Sequence, residues 1–176
     1  MKTLLNSIGI ILLALFVTTN VLVAQVDKSS ELYKTLKSKD SLLFNVGFNT
    51  CEIKPFENLT SEDFEFYHDI SGVTSSKTDF IASIKNGLCK SKNYQSRREL
   101  IKGSLEVFPL KDKGVIYGAL QKGVHQFYEK IKDEKETYGS IAKFTHLWII
   151  ENDEWKIKRI FSYDHKLNKS YKEETK

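Results

Sequence analysis

Residues 143–165 constrain the fold more than any other stretch of the chain. Phe144, His146, Trp148 and Ile150 occupy alternate positions, the polar run Glu151, Asn152, Asp153 and Glu154 interrupts them, and an alternating segment resumes at Trp155. Side chains alternate across a strand with period two, and a short polar break of this kind joins antiparallel neighbours. Two long strands must therefore pair, and their apolar face must be covered by another layer.

The same texture extends upstream. Segments 97–110, 115–128, 141–150 and 155–163 read as four long antiparallel strands, with a tight turn at Lys111, Asp112, Lys113 and Gly114. The charged connection 129–139 is expected to protrude into solvent. Gly103, Gly118 and Gly123 fall inside these strands, where glycine marks bulges or bends that a strongly curved sheet needs.

The N-terminal half is helical in period. Leu32, Leu36, Leu43 and Val46 predict a long amphipathic helix over 29–49, and Pro55 opens a short one over 55–60. Residues 64–69 alternate, Ile70, Ser71 and Gly72 supply a turn, and Val73 and Thr74 complete a short hairpin. Ser76 with Asp79 forms a capping box ahead of Phe80, Ile81, Ile84 and Leu88, and Asn86 with Gly87 ends that helix. The fold class is α+β, a curved antiparallel sheet covered by three N-terminal helices.

Residues 1–24 pair a basic start with a short apolar run and end on Ala24, the pattern of a secretory signal peptide; a retained N-terminal anchor is the alternative. No stable membrane insertion is expected after cleavage, so the protein is read as periplasmic or secreted. What remains is one domain over 25–165 and a polar tail, 166–176, expected to be frayed. The chain has 27 basic and 23 acidic side chains, with both signs interleaved. Even the densest basic stretch, 85–98, reads as a solvated loop, and no nucleic-acid partner is expected. Cys51 and Cys89 are an even pair in an exported chain, so a bridge between them is expected and would contribute roughly 3–4 kcal/mol; two separate buried thiols are the other arrangement.

The order of elements, with Phe144, Thr145, His146, Leu147 and Trp148, the turn 151–154, and Trp155, Lys156 and Ile157, resembles the cone-shaped superfamily of nuclear transport factor 2, SnoaL-type cyclases and ketosteroid isomerase. The resemblance covers roughly residues 29–165. It implies an apolar cavity enclosed by the cone. In isomerase-like members a carboxylate near the end of the first strand is the proton-transfer base, and Asp69 aligns with it. The position of their protonated acid donor is His146 here. Their tyrosine donor has no match, since that region reads Phe44, Asn45 and Val46.

Parity sharpens the candidates. His146 shares a face with Phe144, Trp148 and Ile150 and is expected to point inward, while His125 accompanies Tyr117, Ala119, Gln121 and Phe127. His68 and His165, each beside an aspartate, are expected at the rim. Inward histidines with Asp69 would form an acid–base cluster; the plainer alternative is that each is a satisfied core or rim side chain. Arg97 and Arg98 face opposite ways, so one of them can reach the cavity and grip a carboxylate, although an exposed Arg98 paired with a surface acid is the commoner arrangement. None of the close zinc-ligand spacings occurs, so a metal site of histidines with Asp69 or Asp164 would have to be assembled across strands; no cofactor motif is read, and no serine stands in a Gly-x-Ser-x-Gly setting. Asn58 and Asn168 match glycosylation acceptors, which matter only for a eukaryotic source.

The resulting expectation is an exported domain that holds a small apolar organic molecule in a pocket lined by Tyr117, His125, Phe144, His146, Trp148 and Tyr163. An enzyme using Asp69 and His146 as catalytic residues next to a carbonyl is the alternative. A dimerising interaction module is the third reading, since the outer sheet surface of that superfamily often forms homodimers. The sequence does not name a ligand.

Overall fold

The computed structural model describes residues 25–168; the expected export signal, 1–24, and most of the expected tail, 169–176, lie outside them. Helix α1 (Glu31–Ser41) continues through wider π-helical turns, Leu42–Phe48. Helix α2 (Lys54–Leu59) leads into β1 (Thr60–His68) and β2 (Gly72–Thr74). Helix α3 (Lys77–Ala82) likewise widens over Ser83–Leu88, and β3 (Tyr94–Leu100), β4 (Glu106–Asp112), β5 (Val115–Ile131), β6 (Thr137–Glu151) and β7 (Glu154–Leu167) follow. No helix among the described residues is long and apolar enough to cross a membrane.

The helices start where the sequence places their caps. Ser30 Oγ accepts from the Tyr33 amide, and Ser76 Oγ from the Asp79 amide, each satisfying an N–H that has no partner within its helix. From α1, Tyr33, Leu36, Asp40 and Leu43 are buried against the sheet. The core beneath them contains Phe56, Phe64, Val107, Phe144, Trp148 and Ile157. Gly47 sits where a Cβ would lie 2.6 Å from the Phe56 ring, so a larger residue there would push α1 off α2. Cys51 and Cys89 form a disulfide that ties the end of the α1 segment to the end of α3.

The seven strands run in the order β2-β1-β7-β6-β5-β3, with β4 also on β5. Three features depart from the sequence reading. The sheet is mixed rather than wholly antiparallel, because β1 pairs with β7 in parallel. The expected strand 97–110 is two strands, which share one edge of the long β5. Gly103, at φ 86°, makes the corner between them, and Val124 N–H donates to Ser104 Oγ there at 3.1 Å. Strands β5 and β6 also grow into the expected loop, leaving only 132–136 as connection, and β7 passes the expected boundary at His165, where Asn168 Nδ2 donates to the Tyr138 carbonyl at 2.9 Å.

Candidate functional site

Alternation along β5, β6 and β7 decides which side chains face the helices, and three bulges decide where alternation fails. Opposite β4, Leu110 pairs with Gly118 and Lys111 with Ile116, so Tyr117 is the extra residue. It turns outward and is 50% exposed. In β7 the register slips at Lys158, between the Leu147–Arg159 and Trp148–Ile157 pairs. Beyond it Ile160 and Ser162 face inward, and Tyr163 lies outside, 38% exposed. Near the strand's end Lys143 pairs with Tyr163 and Ile141 with Lys166, so Asp164 and His165 together oppose Ala142. Asp164 adopts φ 58° there, which rotates His165 to the same face as Ser162.

The inward face and the helices enclose a cavity of about 420 Å³. Phe44, Phe48, Phe56, Phe66, Phe80 and Phe127 make most of its wall, and His125 and His146 border it. Of the other expected lining residues, Tyr117 and Tyr163 are outside for the reason just given. Phe144 packs behind the two histidines, with ring centroids 5.0 and 4.4 Å from theirs, and Trp148 is buried deeper in the core. Ile70, Ser71 and Leu167 form an exposed mouth, and His68, Ser162 and His165 lie in the wall with them.

The polar side chains are joined in two networks whose protons can be assigned. In the first, Gln121 Nε2 donates to the Leu36 carbonyl at 3.0 Å, so its oxygen accepts from Trp148 Nε1 at 2.8 Å and contacts His146 Nδ1 at 3.2 Å. A carbonyl only accepts, which puts the His146 proton on Nδ1. Nε2 is then a buried lone pair without a partner among the described residues. Burial, and then the charge of Arg98, hold this imidazole well below its ordinary pKa, so it is neutral. The sequence reading cast His146 as a donor to a substrate oxygen; in this tautomer Nε2 accepts.

The second network begins at Asp40, which Arg98 grips with both terminal nitrogens at 2.9 and 3.2 Å. Arg98 is buried, contrary to the commoner exposed arrangement, because Asp40 supplies its counter-charge and Phe44 a π face 3.9 Å from the guanidinium carbon. The carboxylate it grips belongs to the chain itself. Asn49 also holds the Arg98 backbone, accepting at 2.8 Å and donating at 2.9 Å. Arg98 Nε donates to His125 Nδ1 at 3.0 Å, which leaves the His125 proton on Nε2, 3.4 Å from Ser162 Oγ. Burial and the neighbouring Arg98 charge push His125 far below its usual range.

Ser162 Oγ also lies 3.4 Å from His165 Nε2, and His165 Nδ1 makes a short hydrogen bond to Asp69. Asp69, just past β1, additionally accepts from the His165 amide at 3.2 Å. Partial burial raises its pKa, but the His165 bonds outweigh this and keep it below the ordinary carboxylate range. His68 stacks on His165 with centroids 4.3 Å apart, and its Nδ1 accepts from the Ile70 and Ser71 amides. Asp69 thus acts on the cavity through His165. Asp164, the aspartate beside His165 in the sequence, pairs instead with Lys143 outside.

His68, Asp69 and His165 offer ligand atoms within 4.8 Å of one another, a grouping the ligand spacings did not reveal. Their lone pairs are largely committed to the hydrogen bonds above. Glu129 also borders the cavity, although the sequence placed it in the solvent loop, and burial raises its pKa.

Solved structures share this fold. ActVI-ORFA from Streptomyces coelicolor superposes with a TM-score of 0.61 over 77% of this chain and 98% of its own, at 14% identity. The chain has the nuclear transport factor 2-like fold. A nuclear transport factor 2-like superfamily protein from Salmonella enterica matches 74% of this chain and 88% of its own, with a TM-score of 0.57 and 12% identity. A putative calcium/calmodulin-dependent protein kinase II association domain from Xanthomonas campestris covers 78% of this chain and 89% of its own, at TM-score 0.60 and 18% identity. No protein-family model and no curated protein sequence matches the chain. Within this fold the cavity described here lies between the sheet and the helices.

Proposed function

We propose that this nuclear transport factor 2-like domain is an exported binding protein for a small, largely apolar organic molecule that carries one hydrogen-bond donor. The observation that carries this reading is the bare Nε2 lone pair of His146, buried at a cavity whose wall is made largely of phenylalanine rings. A buried acceptor without a partner costs about 1–3 kcal/mol, which a ligand hydroxyl or amine would relieve. The cavity is within the size range of small-molecule sites, roughly 300–1,000 Å³. The Cys51–Cys89 bridge fits an oxidising compartment.

The test is a melting-shift panel of aromatic and cyclic alcohols against their parent hydrocarbons. The alcohols should bind more tightly, and His146→Leu should remove about tenfold of that preference, the worth of one hydrogen bond. Equal binding of alcohol and hydrocarbon to the unmodified protein would sink the reading.

A second reading is acid–base chemistry next to a carbonyl. It is favoured by the Asp69–His165 pair at the mouth, which leaves His165 Nε2 as a proton acceptor oriented by a carboxylate. Asp69→Asn should then abolish turnover of a ketone substrate while leaving the melting temperature nearly unchanged. A loss of stability with no catalytic change would assign Asp69 a structural role.

A further inference from the structure

Ser162, His165 and Asp69 are joined in the order hydroxyl, imidazole, carboxylate. His165 Nδ1 faces a carboxylate, which only accepts, so in the neutral imidazole Nε2 carries the lone pair and takes the hydrogen bond of Ser162 Oγ–H. From the other side His125 must present Nε2–H to the same oxygen, because Arg98 occupies its Nδ1. A hydroxyl thus lies between a base and a neutral donor, in the wall of an apolar cavity. The backbone bears a cost to achieve this: Asp164 holds a left-handed φ of 58°, and without that bulge His165 would face outward.

We propose that Ser162 is a nucleophile activated by the Asp69–His165 pair, and that the cavity is an acyl-transfer site for small apolar carboxylic esters. This rests on the cavity reading above but makes the occupant a substrate. Ser162 Oγ bonds to the ester carbonyl carbon as its proton passes to His165 Nε2, and the carbonyl π pair moves onto oxygen. The N–H of His125 is the donor available to that oxygen. Collapse breaks the bond to the alkoxy group, which leaves as the alcohol with the proton from His165. Water then attacks the acyl-serine, gives a proton to His165, and releases the acid as Ser162 recovers its hydrogen. Asp69 orients His165 throughout, while Arg98 and Asp40 are positioning residues that hold His125 in its donor tautomer. The triad is recognised by these roles, since such constellations share no sequence order.

The test uses a fluorophosphonate, which forms a stable phosphoryl-serine with loss of fluoride, and a series of p-nitrophenyl esters from acetate to decanoate. The expected results are one adduct per chain, mapped to Ser162 by peptide mass spectrometry, and ester hydrolysis that falls by about 100-fold or more in Ser162→Ala and in His165→Gln. Ser162→Cys keeps a nucleophile of similar size; its introduced thiol should alkylate with iodoacetamide faster than the same thiol in a His165→Gln background. That comparison decides the matter if Ser162→Ala does not fold. No adduct and no hydrolysis by a protein that still binds the apolar alcohols would overturn the proposal while leaving the binding function intact. Hydrolysis indifferent to Ser162→Ala but abolished by a chelator would overturn it in favour of a metal held by His68, Asp69 and His165.

Discussion

Acid should destabilise this protein through its buried histidines before its ordinary carboxylates begin to titrate, and His146 allows that loss to be measured one side chain at a time. In the folded chain His146 is fully buried, its pKa lies well below 6.5, and burial with the Arg98 charge is the cause. In the unfolded chain it titrates near 6.5. Below that value the unfolded state binds a proton that the folded state refuses, so stability falls with falling pH until the folded pKa is reached. Between about pH 7.5 and about pH 5.5 one such histidine costs ~1.4 kcal/mol, and His125, shifted the same way, doubles this. Against a typical total of roughly 5–15 kcal/mol the combined loss is easily resolved. His146→Leu removes one of the two groups; Gln121 Oε1 keeps its bond from Trp148, so the variant loses no obligatory acceptor contact. Urea unfolding of both proteins at the two pH values gives the difference directly. The unmodified protein should lose ~1.4 kcal/mol more than His146→Leu. Equal losses would show that His146 takes up its proton in the folded state, and the tautomer argument for a bare Nε2 would fail with it.

Other outcomes follow from the same contacts. Arg98→Met leaves the Asp40 carboxylate buried without its partner and should cost about 3–5 kcal/mol, whereas the double variant with Asp40→Leu should recover much of that; chemical denaturation of the four proteins closes the cycle. Replacing Cys51 and Cys89 together by serine should lower stability by about 4 kcal/mol, from the loop entropy of a 38-residue separation, and mass spectrometry of the unreduced protein should find no free thiol. Gly123→Ala places a Cβ 2.7 Å from the Phe144 ring and should cost about 1–3 kcal/mol, seen as a lower melting temperature. Glu129 has the opposite linkage from the histidines: its raised pKa makes stability fall as pH rises above about 4.5, and Glu129→Gln should flatten that slope.

The sequence by itself determined most of the elements and the antiparallel pairing of β6 with β7. Strict alternation through Phe144, His146 and Trp148, the break at 151–154 and the Ser76 cap are local signals, each decided within one turn or one strand pair. They place His125 and His146 inward, and an even cysteine pair in a chain that reads as exported is enough to anticipate the bridge. Tertiary structure decided what local period does not encode. One extra residue in a strand exchanges its two faces, so the bulges at Tyr117, Lys158 and Asp164 with His165 moved two tyrosines out and one histidine in. Nothing near Arg98 in sequence indicates that Asp40, on the first helix, would hold it buried, because an ion pair is specified by where the chain brings its partners together. The Ser162–His165–Asp69 order arises the same way: the β7 bulge turns His165 inward, and the parallel pairing of β1 with β7 delivers Asp69 to it.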